Sequence, residues 1–257
     1  AEFLGGAPLN VALHAHRLGL DARLVSRVGC DARGQRAIGH ILGLGLDTDL
    51  LQMDPVRSTG VAEATLAADG SAHYRFPAPC AWDALEVTEA IRAAVAGATV
   101  VYGTLAQRGS VTREAINQLL PLARWRVFDA NLRAPHDDAE VTLAGIRAAH
   151  FVKLNEHEVR AIARWLGLAD DASALFTCLR DRFDVESLCV TEGERGARLW
   201  HRGAYIQQAA FPTVVADTIG AGDAFLAMLL AELLRGEEPG VAMRRAAQLA
   251  SFVASRP

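Results

Sequence analysis

Apolar positions along the chain recur with two alternating periods. A spacing of three and four, which puts apolar side chains on one helix face, runs through 8–18, 33–44, 87–96, 112–123, 139–149, 156–166, 172–183, 221–234 and 239–254. Short β-type runs lie between them at 22–28, 99–102, 126–129, 151–154 and 187–191. Strands that alternate with helices of ten or more residues predict one α/β domain over residues 1–257, with a mostly parallel central sheet, right-handed crossovers and helices on both faces. One stretch breaks the pattern. Segments 59–67 and 72–76 alternate about Asp69-Gly70, a hairpin turn signal, with no helix between them. Residues 56–77 therefore read as a β-hairpin that leaves the main sheet, either as a small lid or as an ordinary edge hairpin.

Composition narrows the function classes. The chain of 257 residues carries 26 basic and 30 acidic side chains, a net charge of −4, and lacks the basic stripe of a nucleic-acid binder. The longest apolar run near the C-terminus, 224–231, is too short to span a bilayer, and no charged leader precedes an apolar stretch. Cys30, Cys80, Cys178 and Cys189 have no metal-type spacing and are too few for a disulfide scaffold. They read as reduced, mostly buried thiols of a cytoplasmic protein. Lys153 is the only lysine, and arginine carries all other basic charge.

Ligands of such sheets bind beyond the C-terminal strand ends, where several unusual segments fall. The strongest is Asp217-Thr218-Ile219-Gly220-Ala221-Gly222-Asp223, which runs straight into an apolar helix. Small residues at Gly220, Ala221 and Gly222 let three amides face one cavity at a helix N-terminus, an anion site. Asp223 would cap the helix or, with two carboxylates flanking one cradle, take a proton from a substrate hydroxyl during phosphoryl transfer. The helix dipole favours its ionised form, which predicts a weak base. In Gly5-Gly6-Ala7-Pro8-Leu9-Asn10, the glycines admit a ligand close to the backbone and Asn10 can both donate and accept towards sugar hydroxyls; a plain turn into a helix is the simpler reading of that segment alone. Asn155 and Glu158 have capping-box spacing, with contact to phosphates and to Mg²⁺ through water as the alternative. His157 reads as a surface residue. Thr191, Gly193 and Gly196 mark a strand-to-hairpin turn against which a nucleotide can pack. Arg133 contacts a phosphate or substrate oxygen, or else pairs with a surface carboxylate, and 103–108 offers further polar contacts.

Two of these segments together resemble the PfkB, or ribokinase-like, family of carbohydrate kinases. Gly5-Gly6-Ala7-Pro8-Leu9-Asn10-Val11-Ala12 with Gly19 and Gly29 is similar to its N-terminal signature, and Asp217 to Asp223 to its C-terminal one, in the same order and at similar separation. Met228 stands where the family has a small residue, inside the helix. The resemblance implies a ribokinase-like fold and an ATP-dependent enzyme. Asp223 is then the catalytic base, and Gly220, Ala221 and Gly222 form the anion hole. Gly5, Gly6, Asn10 and Arg133 contact substrate. Asn155, Thr191, Gly193 and Gly196 lie on the nucleotide side, Glu158 holds Mg²⁺ through water, and Asp217 with the Ile219 carbonyl forms part of a monovalent-cation (K⁺) site. It also implies an N-terminal strand before Gly5 and a segment after Pro257, so the chain is expected to be short at both ends.

Phe128 to Arg133 and Lys153 to Glu156 look like fructokinase-type members. A 2-keto-3-deoxygluconate kinase, which shares an Asp-x-Asn-x-Arg element, is the nearest alternative, followed by ribokinase or nucleoside kinase activity. A catalytically silent sugar or nucleotide sensor is the alternative of another class. Homodimerisation through the lid is a further expectation from the family, with Tyr74 and Phe76 on one face of the hairpin.

Overall fold

The computed structural model describes residues 3–66 and 72–256. Helix α1 (Ala7–Arg17) precedes strand β1 (Ser26–Gly29), helix α2 (Ala32–Gly43) and strand β2 (Leu51–Asp54); β1 and β2 pair in parallel as a two-stranded sheet of their own. Strands β3 (Glu63–Leu66) and β4 (Ala72–Arg75) form a separate antiparallel ladder, so this hairpin does leave the main sheet. The Asp69-Gly70 turn lies outside the described residues. Tyr74 and Phe76 do share a face, their rings 6.3 Å apart, and Phe76 meets His136 at the same distance.

The rest of the chain builds one six-stranded mixed sheet. Helix α3 (Glu89–Val95) leads to β5 (Thr99–Gly103), α4 (Ser110–Leu119), β6 (Trp125–Asp129), α5 (Ala139–Arg147) and β7 (Phe151–Asn155). Next come α6 (Glu156–Trp165), α7 (Ala172–Phe183), β8 (Ser187–Thr191), β9 (Ala197–His201), β10 (Ala204–Gln208), α8 (Ala221–Leu234) and α9 (Pro239–Ala254). The order is β10-β9-β8-β7-β6-β5. Strands β5 to β8 run parallel, as the alternating pattern predicts, whereas β9 and β10 add antiparallel. The reversal after β8 needs no α-helix: a single 3-10 turn at Gly193–Arg195, with Gly193 (φ 57°) and Gly196 (φ 100°), folds the chain back within a few residues. Helix α4 stops at Leu119, short of the predicted end, since Pro121 has no N–H to continue it.

Side-chain alternation along the strands divides the core in two. Val127, Phe151, Cys189 and Leu199 pack under α1, α8 and α9, with Phe225, Leu226 and Met243. Phe128, Val152, Leu154 and Val190 face the other way, onto Val159, Ile162 and Leu175 of α6 and α7. Phe128 and Phe151 are fully buried; each stabilises the sheet by roughly 1.5–3 kcal/mol. Met228 sits half-buried against the first of these clusters, a packing position within α8. The sheet thereby presents Gly103, Asp129, Asn155 and Thr191 together at the C-terminal ends of β5 to β8.

Candidate active site

The N-terminus of α8 approaches this edge of the sheet. Gly220 caps the helix in the left-handed conformation, φ 77°, which other residues adopt at a cost of about 1–2 kcal/mol. The turn it makes points the Ala221 N–H at Thr218 O, 3.2 Å away. Three free amides were expected. Two remain, those of Gly220 and Gly222, with no acceptor among the described residues, because the Gly220 turn closes back on Thr218. Asp217 Oδ1 accepts the Ile219 N–H at 2.8 Å and so braces the loop from its outer side.

Asp223 lies in the first turn of α8, only 9 % exposed. Among the described residues it accepts no backbone N–H, so it is not the helix cap. Its partner comes from the far end of the chain: Asn10 Nδ2 donates to Asp223 Oδ2 at 2.8 Å. Burial pushes the carboxyl up to about 6, with the Asn10 hydrogen bond pulling it down, Asp129 pushing it up, and Lys153 and Arg133 pulling it down. The expectation of a weak base is corrected here. Desolvation outweighs the helix dipole, and the result is a carboxylate ionised at neutral pH yet a better proton acceptor than an exposed Asp.

Below it, Lys153 Nζ donates to both oxygens of Asp129, at 3.0 and 3.1 Å. Strand register sets the pair side by side on β6 and β7. Burial would depress the lysine, but Asp129, Glu158 and Asp223 hold it above its ordinary value. A Cβ built on Gly222 would stand 3.4 Å from this ammonium, so the Lys153 head group abuts the anion loop.

Other predicted residues divide between the two readings weighed above. Asn155 and Glu158 form a complete capping box on α6: Asn155 Oδ1 accepts the Glu158 N–H, and Glu158 Oε2 accepts the Asn155 N–H. Glu158 Oε1 also accepts the Leu132 N–H at 2.8 Å. That bond ties the loop carrying Arg133 to α6. Burial, first, then Asp129 push the Glu158 carboxyl up, against Lys153 and these N–H donors. Arg133 donates to Leu132 O, and no ion pair to it is found among the described residues. Gly6 (φ 120°) caps α1, and neither Gly5 nor Gly6 has a protein atom within 4 Å of a built Cβ. Gly193 is likewise open, whereas a Cβ on Gly196 would stand 2.0 Å from Gln208 O, a structural reason for that glycine. Thr191 Oγ1 reaches back to Leu154 O at 3.4 Å. His157 is exposed, as expected. In 103–108, Gln107 turns onto Gly103 O, and Arg108 is spent on Asp83 and on the carbonyls of Phe76 and Pro77. That arginine anchors the exit of the hairpin rather than offering contacts to a ligand.

All of residues 1–257 match the family described as pfkB family carbohydrate kinase. The chain belongs to the pfkB family of carbohydrate kinases. It is 30% identical over 239 residues to a fructokinase of Klebsiella pneumoniae, covering 89% of this chain and 76% of that protein. Among solved structures it superposes on a fructokinase from Xylella fastidiosa with bound ATP at a TM-score of 0.85 and 23% identity, over 98% of this chain and 85% of that one. It also superposes on a sugar kinase from Pyrococcus horikoshii in complex with ATP, at a TM-score of 0.80 and 25% identity, over 98% and 81%.

For this pfkB kinase, two features of the site escape sequence reading. One is the Asn10–Asp223 bond, which spans 213 positions. The other is the Asp129–Lys153 pair, for which a lone lysine at the end of an apolar strand was the available signal. No three His, Cys, Asp or Glu side chains gather closely enough to hold a metal among the described residues, and no described helix is long and apolar enough to cross a membrane.

Proposed function

We propose that this kinase transfers the γ-phosphoryl group of ATP to a hydroxyl of a ketohexose, fructose first among candidates, with Asp223 as the base. The observation that carries the proposal is a buried carboxylate, held by Asn10, beside two amides at a helix N-terminus that have no acceptor among the described residues. The sugar oxygen attacks the γ-phosphorus as its proton passes to Asp223, and a new O–P bond forms. The bond from the γ-phosphorus to the bridging oxygen breaks, and its electron pair leaves with ADP. The Gly220 and Gly222 amides receive charge spread over the phosphoryl oxygens, the term that matters most in a loose transition state. Asn10 Nδ2 holds Asp223 Oδ2, which directs Oδ1 to the sugar.

The remaining assignments belong to the same proposal. Gly5 and Gly6, open on their protein side, admit the sugar, and Arg133, whose charge reaches Asp223, meets a phosphate or sugar oxygen. Asn155, Thr191 and Gly193 flank the nucleotide. Glu158 fits Mg²⁺ as an oxygen donor: both of its oxygens already accept backbone N–H groups, so it would reach an ion held mainly by phosphates and waters through water, by its remaining lone pairs. Mg²⁺ bound there would neutralise phosphate charge. Asp217 and the Ile219 carbonyl are assigned to a monovalent cation such as K⁺. Strands β3 and β4 act as a lid over the sugar, and the half-exposed Tyr74 is the contact for a second copy; a dimeric mass by light scattering checks this. Four free cysteines suit a cytoplasmic enzyme. A panel assay of ADP formation tests the substrate: fructose is expected to be turned over with a kcat/KM above those of ribose, inosine and 2-keto-3-deoxygluconate, and preference for any of the others overturns the assignment.

A further inference from the structure

We propose that Lys153 is a positioning residue for phosphoryl transfer: clamped on Asp129, its ammonium sits beneath the anion loop and sets the charge that Asp223 and the loop present to the transferring group. The inference rests on the kinase reading above.

Strand alternation leads to it. On β6 and β7, Val127 and Phe151 point into the core under α8. Two residues further on, on the same face, come Asp129 and Lys153. They form the first polar row beyond that core, where α8 begins. The pair is enclosed, with 8% and 6% of the side chains exposed. Of three ammonium protons, two meet the Asp129 oxygens, and the third has no acceptor among the described residues. The nearest part of the molecule above it is Gly222, whose built Cβ stands 3.4 Å from Nζ.

The charged and polar groups facing Asp223 come from three elements. Asn10 belongs to α1, Asp129 and Arg133 to β6 and the loop after it, and Lys153 to β7. Glu158 of α6 lies behind the ion pair. A buried ion pair adds little stability over apolar residues of like size, so stability alone gives no reason for this one. The chain uses arginine for every other cation among its 26 basic residues, and only here the compact lysine head group.

The double variant Asp129→Asn/Lys153→Met removes both buried charges and avoids stranding either one. It is expected to fold with an unchanged circular dichroism spectrum and to keep the KM for fructose, while kcat falls about 100-fold. A purely structural pair predicts a wild-type kcat in the double variant, which would overturn the proposal. A second measurement needs no turnover. Carboxyl ¹³C NMR of Asp223 in Asp129→Asn and in the double variant compares two proteins that differ at position 153 alone, Lys against Met, with Glu158 and Asp223 still favouring the charged ammonium in the first. Loss of that charge is expected to raise the Asp223 midpoint by about one pH unit, and equal midpoints overturn the proposal. If the wild type phosphorylates no sugar while the midpoint still moves, the kinase reading falls and the Lys153 coupling stands. If it phosphorylates sugar and the midpoint stays, the coupling alone falls.

Discussion

Asp223 carries opposite demands on stability and activity. Its folded carboxyl titrates near 6 against an ordinary 3.8. Below about 4 both folded and unfolded chains hold the proton; between about 4 and 6 only the folded chain does, so stability falls as pH rises through that window and then levels off. Asp223→Asn removes the buried charge and keeps an acceptor for Asn10. It is expected to raise stability by about 1–3 kcal/mol at pH 8, with little change near pH 4, and thermal melts at the two pH values check this. For turnover the sign reverses, because only the ionised form takes a proton. kcat/KM is therefore expected to drop tenfold per pH unit below about 6, and an acid limb centred near 4 would show that burial does not raise Asp223. Asn10→Ala removes the bond that lowers this carboxyl, and should move the acid limb upward as well as reduce kcat.

At the scale of elements, the local signatures were legible and the long-range partners were not. The α8 loop, the α6 capping box and the hairpin each declare themselves within a few residues, through small residues at 220–222, through Asn155 with Glu158, and through period-two alternation. The basicity of Asp223 was misread because it depends on burial and on Asn10, Asp129 and Lys153, which only the packing of α1, β6 and β7 against α8 brings together. The third amide was misread for a more local reason, the Thr218–Ala221 turn that Gly220 imposes. Gly196 makes a related point. It falls in a motif associated with the nucleotide, yet a side chain there would collide with Gln208 O where β10 ends. Gly196→Ala is expected to destabilise the chain by about 2–4 kcal/mol through this clash and its positive φ. Urea unfolding reads it, and a stable variant with weakened ATP binding would instead mark that glycine as a ligand contact.

Across the whole molecule, the alternation of periods correctly implied an α/β layer structure with helices on both faces, and β5 to β8 follow it. The antiparallel β9 and β10, and the separate β1–β2 pair, were less legible because strand order is a property of packing and not of pattern. What the fold accomplishes is convergence: α1, β6, β7 and α8, from four distant parts of the chain, meet around one carboxylate and two amides. The account stands most directly on the transfer reaction itself. Incubation of the wild type and Asp223→Asn with γ-³²P-ATP, Mg²⁺ and D-fructose, followed by separation of labelled sugar phosphate, measures it. The account predicts labelled fructose phosphate from the wild type and a yield at least about 1,000-fold lower from the variant. Equal labelling by the two proteins, or none by the wild type, would contradict it.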